Sequence, residues 1–327
     1  MTTTSAGLMT AFPIGLGCMA MSGMYGPSDE SESIATIHAA LDRGVTLLDT
    51  GDFYGMGHNE MLIGKALAGG KRDRVFIQVK FGAQRDPAGA WLGYDARPAA
   101  VKTSLAYTLR RLGTDRIDLY QPARLDPNVP IEETVGAIGE MIDAGYVRYV
   151  GLSEMGVETI RRANAVRPVT GVQLEYSLMS RAIEASILPA LRALGITATV
   201  YGVLSRGLLA GKRSDAMGAG DIRTRMPRWS SDNQARNLAL VERLAEIARE
   251  KHASPAQLAM AWVLSRGPGI VPLAGARTRA QLDDVLGALG VRLDADELAR
   301  IDDAVPPEAV AGSRYDQRQM AMLDSEQ

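Results

Sequence analysis

The sequence predicts a (β/α)8 barrel, an α/β fold with long loops on its C-terminal face. Three observations carry the prediction. Short β-rich runs alternate with segments of helical period about eight times along the chain. Most of these runs are apolar throughout, as expected of parallel strands buried on both faces. Polar residues recur at the C-terminal ends of the runs, where barrels of this kind keep their chemistry. An open doubly wound sheet is the competing architecture.

The first run, Pro13–Met19, is a candidate strand. Its Gly15, Gly17 and Ala20 match the G-x-G-x-x-A dinucleotide fingerprint, but MSGMYGPSD follows and cannot open the required helix. Ser31 to Arg43 reads as a helix stopped by Gly44, between that run and the strands Val45–Asp49 and Val75–Lys80. Val101, Leu105, Leu109 and Leu112 share one helical face before Gly113, and the strand Ile117–Tyr120 follows. Ile131, Val135, Ile138 and Ile142 repeat the pattern, with Pro130 at the start and Gly145 at the end. Strands Tyr149–Ser153 and Thr170–Leu174, a helix from Glu184 to Leu194 before Gly195, and strands Ile196–Tyr201 and Gly269–Leu273 complete the alternation. Ser205 to Asn233 is rich in Gly, Arg, Ser and Asp, and reads as a long loop of the sort that serves as a lid. The segment after Pro306 is polar but carries Tyr315, Met320 and Leu323, which suit it to pack across a barrel end. No linker, repeat or low-complexity tract interrupts the chain. The expectation is one domain over residues 1–327, with 1–10 flexible and 307–327 a C-terminal tail.

Among 327 residues, 36 basic side chains face 38 acidic ones, and 46% of residues are hydrophobic. That balance excludes a disordered or fibrous chain, and a pI of 6.0 removes the electrostatic case for a nucleic-acid binder. The single cysteine, Cys18, permits no internal disulfide. MTTTSAGLMT lacks the basic and apolar segments of a signal peptide, and no apolar run approaches the ~18 residues of a membrane span. These features predict a soluble, cytoplasmic protein whose partners are small molecules, monomeric or weakly homo-oligomeric, without nucleic-acid or membrane binding.

The strand ends place Asp49, Lys80, Ser153, Gln173 and Tyr201 at one face, with Arg277 beyond the last strand and Tyr54 in the loop after Asp49. Any one of these is ordinarily a structural cap; six strand-end residues together favour a site. Asp49, Tyr54 and Lys80 form a candidate proton-transfer cluster. An ammonium beside a tyrosine lowers its pKa from near 10, and a carboxylate holds the ammonium. The alternative reading is a buried Asp49–Lys80 ion pair with Tyr54 packed against it. His38, His58 and His252 lack metal-ligand spacing, and Cys18 has no cysteine partner, so no metal site is expected. His58, in YGMGHNE, either lines the pocket of Tyr54 or begins a helix. Met19, Met21, Met24 and Met56, with Trp91, Tyr94 and Trp229, fall in loops; they either line an apolar substrate mouth or pack on one another.

Read together, these motifs resemble the aldo-keto reductase family over nearly the whole chain. LLDTGDFYGMGHNEMLIGKAL resembles its Asp/Tyr signature, and DLYQPARLDPNVPIEETVGAIGEMIDAGYVRYVGLSE its central one. GVQLEYSLMSR, YGVLSRGLLAGK and VPLAGARTRAQLDDV resemble its cofactor-binding segments. GLGCMAMSGMYG and SRYDQRQMAMLDSEQ resemble bacterial and fungal members with NADPH-dependent reductase activity. The resemblance implies that Asp49, Tyr54 and Lys80 are catalytic, Tyr54 as the acid in carbonyl reduction and Lys80, held by Asp49, as its tuner. It implies that Ser153 and Gln173 hold the nicotinamide carboxamide and that Tyr201 stacks on the ring. Gly17, Cys18 and Met19, Gly202, Leu204, Ser205, Gly207 and Leu209, and Gly275, Arg277 and Gln281 are implied for the rest of NADPH, with Arg277 on the 2′-phosphate. Met21, Tyr25, His58, Trp91, Ala123 and Trp229 are implied for the substrate pocket.

The sequence departs from the family at its fourth catalytic position. A histidine normally precedes the arginine of the H-R-x-D-P run; here the run is P-A-R-L-D-P and the position is Ala123. Losing one such donor typically costs about 10²–10³ in rate. Glu154 stands where asparagine is frequent, and Val285 where asparagine often meets adenine. The A-R-L-D run is similar to pyridoxal reductase-like members, which makes pyridoxal a candidate beside bulky ketones and secondary alcohols. The competing function is an NADP(H)-binding regulatory module with little turnover, resembling potassium-channel β subunits.

Overall fold

The computed structural model describes residues 9–213, 217–218 and 220–327. Its ten strands are β1 (Gly15–Gly17), β2 (Leu47–Gly51), β3 (Phe76–Phe81), β4 (Ala83–Arg85), β5 (Trp91–Tyr94), β6 (Ile117–Pro122), β7 (Val147–Ser153), β8 (Val169–Glu175), β9 (Thr197–Tyr201) and β10 (Ile270–Ala274). Eight of them close into a parallel barrel in the order β1-β10-β9-β8-β7-β6-β3-β2, and β4 and β5 form a separate antiparallel hairpin. The helices are α1 (Glu30–Asp42), α2 (His58–Leu67), α3 (Pro98–Leu112), α4 (Ile131–Asp143), α5 (Val157–Val166), α6 (Ile187–Leu194), α7 (Ser231–Glu250), α8 (Pro255–Leu264), α9 (Arg279–Leu286), α10 (Ala295–Ala304) and α11 (Gln317–Met320). No described helix is long and apolar enough to cross a membrane.

Local chemistry fixes the element ends. Asp29 caps α1 by accepting from the Glu32 amide, and Ser254 with Gln257 closes a capping box at α8. Gly113 and Gly195 end α3 and α6 in left-handed conformation, where a side chain would be strained. The strands expected at Pro13–Met19 and Val45–Asp49 contract or slide to Gly15–Gly17 and Leu47–Gly51, because their pairing is set by neighbours in the barrel rather than by apolar content. The helix expected from Glu184 is a 3-10 turn at Ala182–Glu184 followed by α6. The long loop is likewise built of 3-10 turns, and α7 begins inside its expected span, at Ser231.

The barrel interior changes character along its axis. At the N-terminal end Leu47, Phe76, Leu119, Val271 and Leu273 form an apolar plug that includes Met9. Met9 is fully buried, contrary to the expectation that residues 1–10 are flexible; residues 1–8 of that span lie outside the described residues. Gly151 makes room for the plug, since a Cβ there would stand 2.1 Å from Leu119 Cδ2. Side chains two residues apart share a strand face. One step up from the plug stand Asp49, Gln78 and Gln121, and one step further Lys80 and Ala123, so the interior is polar toward the C-terminal end.

The tail crosses that end. Its Arg314 forks onto Glu154 at 2.6 and 2.9 Å, Ser325 Oγ donates to Glu154 at 2.6 Å, and the Gly156 amide donates to Asp324 at 2.7 Å.

Candidate active site

Asp49, at the polar level of β2, is the hub. Its Oδ1 accepts from Lys80 Nζ at 2.5 Å, Gln173 Nε2 at 2.7 Å and Gln78 Nε2 at 2.8 Å. Lys80 is buried with it and lies 5.0 Å from the centre of the Tyr54 ring. Phe53 meets the other side of that ring edge-on at 4.8 Å. Three residues distant in sequence are thus brought together because β2 and β3 are neighbours in register, with Gly51 opposite Lys80.

The electrostatics differ from the sequence expectation. Burial raises the Tyr54 pKa well above 10, the Asp49 charge adds to the rise, and Arg124 offsets part of it. Burial lowers the Lys80 pKa, against the pull of Asp49. Lys80 lies over the face of the phenol, so the expected depression of Tyr54 is not produced by its surroundings. The phenol therefore keeps its proton at neutral pH, the form a proton donor needs.

Around this cluster the mouth carries a network of buried charge. Glu154, in left-handed conformation at φ +54°, accepts from Arg314, Ser325, Tyr201 Oη and the Glu175 amide. Glu175 binds Arg206 at 3.0 Å. Tyr201 Oη also lies 2.9 Å from Tyr315 Oη, and the Tyr315 ring is faced by Arg206 at 4.7 Å and Arg314 at 5.6 Å. Tyr25, its pKa pushed up to about 12 by burial, packs under Arg223, whose other face meets Trp229.

The expected cofactor residues distribute unevenly. Ser153 and Ser205 are buried, with side-chain oxygens that have no hydrogen-bond partner among the described residues. Gly202 and Gly207 have φ of +68° and +107°, and a Cβ on Gly207 would come within 2.8 Å of Lys212, so the loop after β9 requires glycine there. Leu204 packs against the core at the start of that loop. Arg277 donates to the carbonyl oxygens of Tyr25, Gly26 and Pro27, and its amide donates to Gln281. Gly275 has open space around it, Gly17 lies opposite Asp49, and Met19 is half-buried in a 3-10 turn. Gln173 departs from expectation, because its amide nitrogen is committed to Asp49. Cys18 and Leu209 are fully buried in the core, where burial pushes the Cys18 thiol up.

Of the expected substrate residues, Ala123 is buried beside the site, and Trp91 meets Tyr94 edge-on at 4.4 Å on the hairpin at the rim. Met21 and Trp229 belong to the core. His58 begins α2, where its ring shares a 3.0 Å hydrogen bond with Ser22 Oγ and faces Glu30 at 3.7 Å; it is part of the outer wall. Several residues of the mouth were absent from the sequence expectation, among them Gln78, Gln121, Glu175, Arg206, Arg314 and Arg124. Gln78 and Gln121 share the period-2 face of Lys80 and Ala123, a signal that was available. Arg314 and Arg124 were not accessible to it, since one lies in the tail and the other reads as motif background.

The model of the aldo/keto reductase family matches residues 13–306. The chain belongs to this family. It is 41% identical over 305 residues, 92% of the chain and 88% of the relative, to a probable aldo-keto reductase of Glycine max. It is 39% identical to an NADP(+)-designated aldo-keto reductase of Schizosaccharomyces pombe, covering 96% of the chain and 94% of the relative. Among solved structures, a glycerol dehydrogenase of Gluconobacter oxydans is similar with a TM-score of 0.81 at 31% identity, over 90% of this chain and 92% of that one. An aldo/keto reductase of Klebsiella pneumoniae, in complex with NADP and acetate, is similar with a TM-score of 0.72 at 27% identity, over 93% and 94%. Within an aldo/keto reductase fold, the Asp49–Lys80–Tyr54 cluster lies where the strand ends converge.

Proposed function

We infer that the protein is an NADP(H)-dependent oxidoreductase that reduces an aldehyde or ketone to the alcohol, reversibly, in a single barrel domain. The observation that carries this reading is Tyr54, buried and protonated against a Lys80–Asp49 pair at the floor of the mouth. The residues present fit the cofactor. The unpartnered hydroxyls of Ser153 and Ser205 offer hydrogen bonds, the Tyr201 ring offers a stacking face, and Lys212 and Arg277 gather positive charge for phosphates. The NADP(+) designation of the fission-yeast relative and the NADP in the Klebsiella structure support the same choice. When bound, the nicotinamide supplies the hydride.

The protein's share is orientation and the proton. Tyr54 Oη donates its proton to the carbonyl oxygen in reduction and takes it back in oxidation, while Asp49 fixes Lys80 over the ring. Ala123 offers no second donor, and His58 is engaged in the outer wall. Gln121 is the residue placed to supply one: it is buried in the strand neighbouring Lys80, two residues before Ala123, and both its amide atoms lack partners. Gln121→Leu should lower kcat by about 10²-fold, while the loss of an unpaired buried amide raises stability by on the order of 1 kcal/mol. A variant with unchanged kcat would show that Gln121 does not meet the carbonyl.

The substrate range spans pyridoxal, bulky ketones and secondary alcohols. NADPH oxidation with a panel of aldehydes and ketones tests the reading; absence of turnover with all of them would favour a regulatory module. Arg277→Ala tests the cofactor. Among the described residues no carboxylate pairs with Arg277, so its charge is free for a 2′-phosphate. The variant should lose about 1.5–3 kcal/mol of NADPH affinity and little NADH affinity, measured by fluorescence titration. Equal losses for both would remove Arg277 from the 2′-phosphate site.

A further inference from the structure

The barrel mouth holds one more guanidinium than its carboxylates neutralise. Arg206 and Arg228 share Glu175, and Arg314 takes Glu154 and Glu326. Arg124 has no such partner among the described residues. It donates to the carbonyl oxygen of Ala123 at 2.6 Å and to Tyr315 Oη at 3.4 Å, and its guanidinium lies 5.9 Å from the centre of the Tyr315 ring. All of these acceptors are neutral. Arginine cannot shed its charge. Arg124 is half-buried with hydrogen bonds only to neutral acceptors, so an anion arriving beside it would give it the charged partner it lacks. Glu154 is near enough for its field to reach Arg124, but its oxygens are occupied by Arg314, Ser325 and Tyr201.

Position decides what that anion is. Arg124 follows β6, and its charge acts on both Tyr54 and Lys80. Arg277, the residue for the cofactor's 2′-phosphate, follows β10, which stands four places from β6 in the ring of eight strands, directly across the mouth. Lys212 and Arg223 share electrostatic surroundings with Arg277 and lie on its side. The cofactor's phosphates therefore have their own cations, and Arg124 is left on the substrate's side, beside the Trp91–Tyr94 hairpin.

We propose that Arg124 binds an anionic oxygen of the substrate, so that the preferred substrates are carbonyl compounds bearing a carboxylate: oxo acids and aldehyde acids. This rests on the reductase reading, and names its substrate class. The guanidinium grips the carboxylate as an ion pair and holds the carbonyl oxygen toward Tyr54. Because the grip is the same in ground state and transition state, its effect falls on KM.

Matched pairs test it: 4-carboxybenzaldehyde against its methyl ester, and succinic semialdehyde against butanal, with wild type, Arg124→Met and Arg124→Lys. In wild type the acid of each pair should have the higher kcat/KM by about tenfold or more, through KM. Arg124→Met should erase the preference, lowering kcat/KM for the acid by about 10–100-fold more than for its neutral partner. Arg124→Lys should restore part of it. Benzoate gives a readout independent of turnover: it should raise the melting temperature of wild type and not that of Arg124→Met. No preference in wild type, or equal losses for both members of a pair in Arg124→Met, would overturn the proposal. If no carbonyl compound is reduced at all, it is the reductase reading that fails. Equal benzoate shifts in wild type and Arg124→Met, or none in either, would then overturn the anion site separately.

Discussion

Tyr54→Phe should abolish most turnover while leaving cofactor affinity nearly unchanged. The substitution removes one oxygen and its proton and preserves the ring, so the edge contact with Phe53 and the approach of Lys80 to the ring face both survive. Proton transfer by a positioned side chain is worth about 10²–10⁴ in rate, and kcat should fall by that factor. Single-turnover NADPH oxidation reads the chemical step, and fluorescence titration reads cofactor binding. A kcat within about threefold of wild type would reassign the donor. The alternative reading of Asp49 and Lys80, as a buried ion pair with Tyr54 merely packed beside it, predicts that outcome and is separated from the catalytic one by this single variant.

Arg314→Met should be the most destabilising single change at the mouth. The guanidinium and the Glu154 carboxylate are almost wholly buried, with side-chain exposures of 5% and 0%. Removing one member of a buried pair typically costs about 3–5 kcal/mol, because the other is left uncompensated. Urea denaturation should show that loss at neutral pH, and adding Glu154→Gln should recover more than half of it, since the orphaned charge disappears. The pH dependence gives a second check. Burial alone would raise the Glu154 pKa, but Arg314 overcomes it and holds the group at about 2, below its ordinary 4.5. A pKa depressed on folding adds stability above the unfolded value, and that stability is lost as pH falls toward about 2. In Arg314→Met the largest cause of the depression is gone and the folded pKa should rise, so acidification through it should shrink the deficit. A deficit that stays constant or grows on acidification would mean that Glu154 is neutralised from elsewhere.

Much of the fold was legible because parallel barrels advertise themselves. A strand such as Gly269–Leu273 is apolar without alternation, and burial on both faces accounts for that. The cluster of Asp49, Tyr54 and Lys80 was legible for a related reason, since Asp49 and Lys80 are charged residues at the ends of largely apolar strands. The β4–β5 hairpin was missed because strands of three and four residues carry no period. The commitment of Gln173 to Asp49 was equally hidden. It depends on strands β2 and β8 facing each other across the interior, and residues 124 apart in sequence give no local sign of that. The Glu154–Arg314 pair is the same case at larger scale. A glutamate in an asparagine position reads as a neutral variation until the tail is seen to bring its counter-charge.

The tail's place in the site also bears on how the protein is made. Synthesis proceeds from the N-terminus at about 5–20 residues per second, and the eighth barrel strand ends at Ala274 while its charge partner for β7 and β8 waits at Arg314. For an interval on the order of seconds a nascent barrel has every strand it needs to close, yet Glu154 lacks the guanidinium that pairs with it, while Glu175 already has Arg206 and Arg228. Closing early would strand the Glu154 charge in a low-dielectric interior, so the nascent chain has a reason to stay loosely assembled until Arg314 emerges.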